Sequence, residues 1–408
     1  MTYKKLLFIF LISFPLTNLF ANNPDLTFKF YGFVRSDLYY NTRQNVEAID
    51  GLFNLFPKPK EEVLGIDNNA TPSSEMLSVA TRLGVDITGA PIFGAKTSAK
   101  VECDFAGIST SYYLIRLRQA YFKLNWKNNE LLIGQTWHPM FSNCVPLVPS
   151  LSAGAPFQPF NRSPQIRFKQ NLNETFSFLA TASYQMQYTS QGPLNSSSSY
   201  LKNGLLPSLH IGLDFKSGNF NTGIGVDGKS LLVNHSRVNS GAAVAYAQYN
   251  KDKFHILAKS VYGQNLSEFL MIGGYGVNGI KKINDDLVVN TYTNFNTSTS
   301  WLSLAYGNKI QTAIFGGFSK NLGTNEALLA TNGIYTAYGY GYYQGSQTLL
   351  DQLYRVAPSI TWNFQNLRLS LEYELTSAKY GTIKSDGLIS DPYTINNHRG
   401  LATVSYFF

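Results

Sequence analysis

Charge is scarce in this sequence. Asp, Glu, Lys and Arg together make up 14% of the 408 residues, against roughly a quarter in ordinary soluble domains. So low a value argues against a water-soluble helical enzyme. Cysteine is scarcer still. Cys103 and Cys144 are the only two, too few for a disulfide framework or a cysteine-based zinc site, and unpaired thiols are expected. Beyond the N-terminal segment no apolar run reaches the ~20 residues of a spanning helix. The longest uncharged stretch, Cys144 to Phe160, carries Pro146, Pro149, Pro156 and Pro159, which a helix interior does not tolerate. If the chain crosses a membrane, it does so with strands. The formal charge of +8 is spread along the sequence without Lys/Arg clusters, so a nucleic-acid partner is not expected.

Residues 1–21 read as a secretory signal: Lys4 and Lys5 open it, an apolar stretch runs from Leu6 to Phe20, and Ala21 offers a small residue for cleavage. Pro15 breaks the run, which favours export over a membrane anchor. Residues 22–408 then form the mature domain.

Aromatic residues are plentiful, with 26 Tyr and 28 Phe, and they recur with a period of two. Leu77, Val79, Leu83, Val85 and Ile87 alternate with Ser78, Arg82, Asp86 and Thr88. Leu209, Ile211, Leu213 and Phe215 alternate with His210 and Asp214. Such alternation marks strands with one apolar and one polar face. Sixteen segments fit: 28–39, 77–89, 96–105, 114–126, 130–137, 164–170, 176–188, 207–215, 220–231, 240–249, 254–264, 299–306, 310–322, 353–363, 367–379 and 398–408. Their connections alternate in length. Those at 90–95, 127–129, 171–175, 216–219, 250–253, 307–309 and 364–366 are short. Those at 40–76, 106–113, 138–163, 189–206, 232–239, 265–298, 323–352 and 380–397 are mostly long. A soluble β-sandwich has no reason to segregate short from long links in this way. The expected fold is all-β: a transmembrane antiparallel β-barrel of about 16 strands in a bacterial outer membrane, with short periplasmic turns and long extracellular loops. The final strand, with Gly400, Ala402, Val404, Tyr406 and Phe408 on one face, ends on an aromatic residue and resembles the signal read by the outer-membrane assembly machinery.

If the apolar faces meet lipid, the polar faces line a lumen. The cationic candidates for a pore wall are Arg35, Arg82, Lys100, Arg116, Arg118, Arg167, Lys169, Arg355 and Arg368. Acidic residues on the same faces are fewer, so a wide barrel would favour small anionic solutes. The connection 138–163 is apolar and almost uncharged until Arg162. A segment of that composition is expected to fold inward against the wall and narrow the channel, the alternative being a loop packed at a subunit interface or on top of the barrel. The alternative is a structural or adhesive barrel plugged by loops such as 40–76. No cofactor is implied and no enzyme signature is found. The match of residues 274–279 to G-x-G-x-x-G lacks a βαβ context, and the five histidines form no H-E-x-x-H pair.

The segment Leu114 to Phe141 reads LIRLRQAYFKLNWKNNELLIGQTWHPMF. Its two strands, RLRQAYF and LLIGQTW, joined by a Lys-Asn-Asn turn, resemble DcaP-like outer-membrane porins. The resemblance implies a sixteen-stranded homotrimeric channel for small anionic solutes such as dicarboxylates. It also implies that Arg116, Arg118 and Gln135 lie along the channel wall near a constriction. The coiled-coil extension found in some members has no counterpart here, since only Asn22 to Thr27 separate the cleavage site from the first strand.

Overall fold

The computed structural model describes residues 26–49, 51–107, 114–285 and 287–408; the expected signal, 1–21, lies outside them. Sixteen long antiparallel strands close on themselves. In chain order they are β1 Thr27–Asn41, β2 Arg82–Ile92, β3 Ala95–Asp104, β4 Arg116–Asn125, β5 Asn129–Trp137, β6 Arg162–Asn171, β7 Phe176–Ser183 and β8 Ser208–Ser217. The second half is β9 Phe220–Val233, β10 Ser236–Lys251, β11 Phe254–Gln264, β12 Val288–Tyr306, β13 Ile310–Thr324, β14 Thr348–Phe364, β15 Leu367–Ile383 and β16 Ile389–Phe407. Each pairs with its neighbours in sequence, and β16 pairs with β1 from Phe33↔Phe407 to Asn41↔Arg399. A short strand, Ser73–Leu77, covers the upper part of β1 beside β2. The barrel is the expected class, and every one of the sixteen segments carries a strand.

Period-two geometry sends successive side chains to opposite faces. On β1 the exposed row is Phe28, Phe30, Val34, Leu38 and Tyr40, while Asp37 and Asn41 point inward and are buried. The same holds around the wall. Ile211, Ile224, Val226, Leu302, Ile314, Val356, Leu371 and Val404 are exposed; His210, Asp227, Ser303, Arg355, Glu372, Glu374 and Thr403 are buried. Apolar outside and polar inside is the inverse of a soluble protein, and it is the arrangement a lipid-facing barrel requires.

The seam needs a glycine. Gly32 and Phe408 exchange two backbone hydrogen bonds of 3.1 Å. A Cβ at Gly32 would stand 2.4 Å from the Arg82 carbonyl and 2.9 Å from the Phe408 ring. The terminal aromatic therefore sits directly on the closure.

Seven short links, 93–94, 126–128, 172–175, 218–219, 252–253, 307–309 and 365–366, lie at one rim, and the other links lie at the opposite rim. Two of the expected long loops prove short. The link between β9 and β10 is only Asn234 and His235, both at positive φ (45° and 65°), as a two-residue hairpin demands. The link between β15 and β16 spans 384–388. Above the apolar band the outward faces of these hairpins turn mostly polar, while Leu231, Val233, Val238, Tyr380 and Ile395 are buried inward, so the lipid-facing row fades while the ladder continues.

Candidate functional site: the inner wall and its folded loops

Strands β2 to β4 build a charged wall. A β-bulge shapes it: Glu102 pairs with Gln119 and Cys103 with Leu117, which leaves Arg118 as the extra residue. The extra residue shifts the phase, so Arg116 and Arg118 both turn toward the acids of β3. Arg116 grips Asp104 through two bonds of 2.9 and 2.7 Å. Arg118 bridges Glu102 at 2.8 Å and Asp104 at 2.7 Å. Arg82 stands 3.7 Å from Glu102, and the Tyr31 hydroxyl donates to the same carboxylate at 3.0 Å. Lys100 contacts Asp86 at 2.8 Å and donates to Tyr31 at 3.1 Å. Three guanidinium groups thus surround two carboxylates, and one positive charge is left over.

The other candidates are spread around the wall. Arg35, on β1, pairs with Asp37 at 2.6 Å and donates to the Pro149 carbonyl at 2.8 Å. Arg167 donates to the Trp137 carbonyl at 2.5 Å and to Gln165 at 2.7 Å. Lys169 lines a polar recess of about 640 Å³ at the turn-side rim, with Asp214, Lys216 and Tyr246. Arg368 is near that rim as well, donating to Asn363 at 2.9 Å with its guanidinium 4.9 Å above the Phe407 ring.

Two candidates spend their donors on backbone carbonyls. Gln135 pairs across from Ala120 and Pro164, out of phase with the row Lys123 and Tyr121. Its amide donates to the backbone carbonyls of Leu117 and Arg118 at 3.0 and 3.3 Å. It props the bulge and lines a recess of about 880 Å³ with Arg116 and Tyr188. Arg355 is 2% exposed. It donates to the carbonyls of Ala155 (2.8 Å) and Leu55 (2.7 Å) and to Thr376 (2.8 Å), with Glu374 at 3.3 Å. Two loops cover it, which is why a polar wall position is buried.

The segment between β5 and β6 packs on inward-facing residues of β11 to β14. It opens with a short helix, α1 Pro139–Ser142, capped by His138. Lys259 donates to the α1 carbonyls of Met140 (2.5 Å) and Phe141 (3.2 Å). Trp301 donates to Gln158 at 3.0 Å, and Ser303 accepts from the Leu147 N–H at 3.2 Å. Phe157, fully buried, lies flat on Gly317, where a Cβ would stand 2.5 Å from the ring. Gly317→Ala is therefore expected to lift Phe157 off the wall. It should cost about 1–3 kcal/mol, read as a lower unfolding midpoint in detergent. Cys144 is buried on this segment, its thiol pKa pushed up to about 11 by desolvation, and both cysteines are free.

A second element, from the 40–76 connection that the plugged alternative names, meets it. Between β1 and the strand at Ser73–Leu77, Asn45–Glu47 and Asn54–Pro57 form a small hairpin whose Leu52, Phe53, Leu55 and Phe56 are buried. Phe53 meets Phe160 edge-on at 4.6 Å, and Trp137 stacks on Phe141 at 3.9 Å. Arg399 donates to Gly51 O at 2.8 Å and Tyr380 to Pro57 O at 2.6 Å. The signal was present in the apolar run Gly51-Leu-Phe-Asn-Leu-Phe-Pro57. Lys259 and Trp301, which seat α1 and the segment behind it, carried no comparable mark. Among the described residues no group of His, Cys, Asp and Glu is arranged to hold a metal ion.

A closed sixteen-stranded barrel, apolar without and charged within, with loops against its inner wall, is the architecture of the bacterial outer-membrane porins. Among solved structures it is similar to the outer membrane channel DcaP of Acinetobacter baumannii, at 18% identity and a TM-score of 0.68, over 94% of this chain and 98% of that one. It is also similar to the anion-selective porin from Comamonas acidovorans (9% identity, TM-score 0.54, 94% and 100% covered). The trimer form of OmpT from Vibrio cholerae is comparable (10%, 0.54, 94% and 100%). No protein-family model matches the sequence, and neither does any curated protein. The likeness is one of fold.

Proposed function

We propose that the chain is a diffusion porin of the bacterial outer membrane that passes small hydrophilic solutes and prefers anions. The observation that carries this reading is the wall of Arg82, Arg116 and Arg118 around only two carboxylates, on strands remote from those that seat the β5–β6 segment. Confined between low-dielectric walls, a surplus of fixed positive charge raises the local anion concentration. In this reading the β5–β6 segment is the constriction, with Arg35, Lys100, Arg167 and Lys169 extending the cationic path toward the turn-side rim. The exposed apolar band meets membrane lipid, and the seam residue Phe408 serves recognition by the assembly machinery. A homotrimer is the proposed assembly, as for the OmpT form named above. In planar bilayers under a salt gradient, stepwise conductance with an anion-leaning reversal potential is expected. Folded protein that gives no steps would end the proposal.

A second reading has its own support. The aromatic contacts of Phe53, Phe160, Trp137 and Phe141 interlock the two inward loops, as in a plugged structural barrel. Liposome swelling in small sugars separates the two, since a plugged barrel gives none.

A further inference from the structure

We infer that His138 is a positioning residue whose protonation releases the start of the β5–β6 segment from the wall. Its place in the channel rests on the constriction reading above, but the latch itself is argued from the geometry around the imidazole.

The two ring nitrogens have different tasks. Nδ1 accepts a hydrogen bond from the Met140 N–H at 3.3 Å, which makes His138 the N-cap of α1. A nitrogen that accepts carries no proton, so the ring proton is on Nε2. Nε2 lies 3.3 Å from Asp227 Oδ2 of β9, close enough for a charge contact though outside hydrogen-bond geometry. The same oxygen lies 3.6 Å from Nδ1 of His210 on β8, and the two imidazole rings meet edge to face at 5.5 Å. One carboxylate serves two imidazoles, and all three side chains are at most 5% exposed.

The charged groups packed around this site come from every adjoining element. Arg167 of β6 binds the carbonyl of Trp137, the residue before the cap. Lys229 of β9 pairs with Glu268 in the β11–β12 loop. Lys259 of β11 holds the carbonyls of Met140 and Phe141. With both imidazoles neutral, three cations face two acids. A proton on His138 adds to an existing positive surplus in a buried site. It also turns Nδ1 into a donor aimed at the Met140 N–H, so two donors face one another and the cap is lost.

Burial holds the His138 pKa below the usual imidazole value, and Asp227 only partly offsets this. For a base depressed in the folded state, the stabilising contact is complete above the unfolded imidazole value of ~6.5. It is lost as pH falls from there through the lower folded value. The latch is shut at neutral pH and opens in acid.

His138→Asn isolates the effect, because an asparagine oxygen caps a helix as well and does not titrate. Hydrogen exchange of the peptide covering residues 138–145 would be measured in the detergent-solubilised, full barrel at about pH 7.5 and about pH 4.5, corrected for intrinsic rates. Wild type should lose about fivefold in protection at the lower pH, the scale of a lost cap. H138N should stay level, and His138→Ala should be unprotected at both. An acid loss in H138N equal to wild type, or none in wild type, overturns the inference. Imidazole nitrogen shifts of wild type give a reading that needs no variant: a neutral Nε2–H tautomer at pH ~7.5 supports the latch, and an Nδ1–H tautomer sinks it. Conductance recorded in parallel separates the two claims. An acid-sensitive segment with unchanged conductance keeps the latch and removes the constriction.

Discussion

Replacing Arg116 and Arg118 together by glutamine is expected to turn an anion-leaning channel into a cation-leaning one. The two side chains carry most of the contacts to Glu102 and Asp104. Without them the wall retains both carboxylates, and only Arg82, 3.7 Å from Glu102, remains to balance them. A unit charge ~8 Å from a passing ion at an effective dielectric of ~20 is worth ~2 kcal/mol. Screening by salt reduces that figure, yet two charges removed on one wall still imply roughly a tenfold or larger change in the anion-to-cation permeability ratio. Stability should fall as well, because a buried pair broken on one side costs about 3–5 kcal/mol. The fourfold variant R116Q/R118Q/E102Q/D104N also removes the stranded carboxylates and leaves Arg82 as the surplus charge, one as in wild type. It should recover most of the stability and return to an anion-leaning reversal potential. The measurement is the reversal potential under a salt gradient for all three proteins. A double variant with the wild-type reversal potential would show that the bulge arginines hold the wall together and leave selectivity to other residues.

The fold was legible because a barrel in lipid writes its period into the sequence. Leu209, Ile211 and Leu213 must meet lipid while His210 and Asp214 must not, and a two-residue alternation is the direct result. Legibility stops where that contrast stops. In the β15–β16 hairpin, Thr394 and Asn396 pair with Lys379 and Ser377 beyond the apolar band, so polar residues take the outer face while Tyr380 and Ile395 turn inward, and the stretch looks like loop. The bulge hides the phase for a different reason. One inserted residue at Arg118 leaves Arg116 and Arg118 facing inward, but then moves the row to Gln119, Tyr121 and Lys123. No local composition announces it. The burial of Arg355 depends on two segments some 200 and 300 positions away in sequence, which no reading of β14 alone could supply.

Arg355 gives the second large effect. Its guanidinium holds both inward loops to the same point of the wall, through Ala155 O on one and Leu55 O on the other. Arg355→Met keeps the volume and removes every donor. Glu374 would then keep Asn54 at 2.9 Å and Thr376 at 3.0 Å as neighbours but lose its only cation within 4 Å among the described residues. The expected loss is about 3–5 kcal/mol, seen as a lower unfolding midpoint. R355M/E374Q removes the stranded carboxylate and should regain much of it, because the remaining cost is two carbonyls without donors. The loops stay unpinned in both variants. Single-channel conductance should therefore rise in the folded R355M/E374Q protein, and limited proteolysis should cut within 42–72 or 138–161. Cleavage there without a change in conductance would mean that the loops lie against the wall clear of the solute path, and the constriction would have to be sought between β2–β4 and the aromatic cluster of Trp137, Phe141 and Phe160.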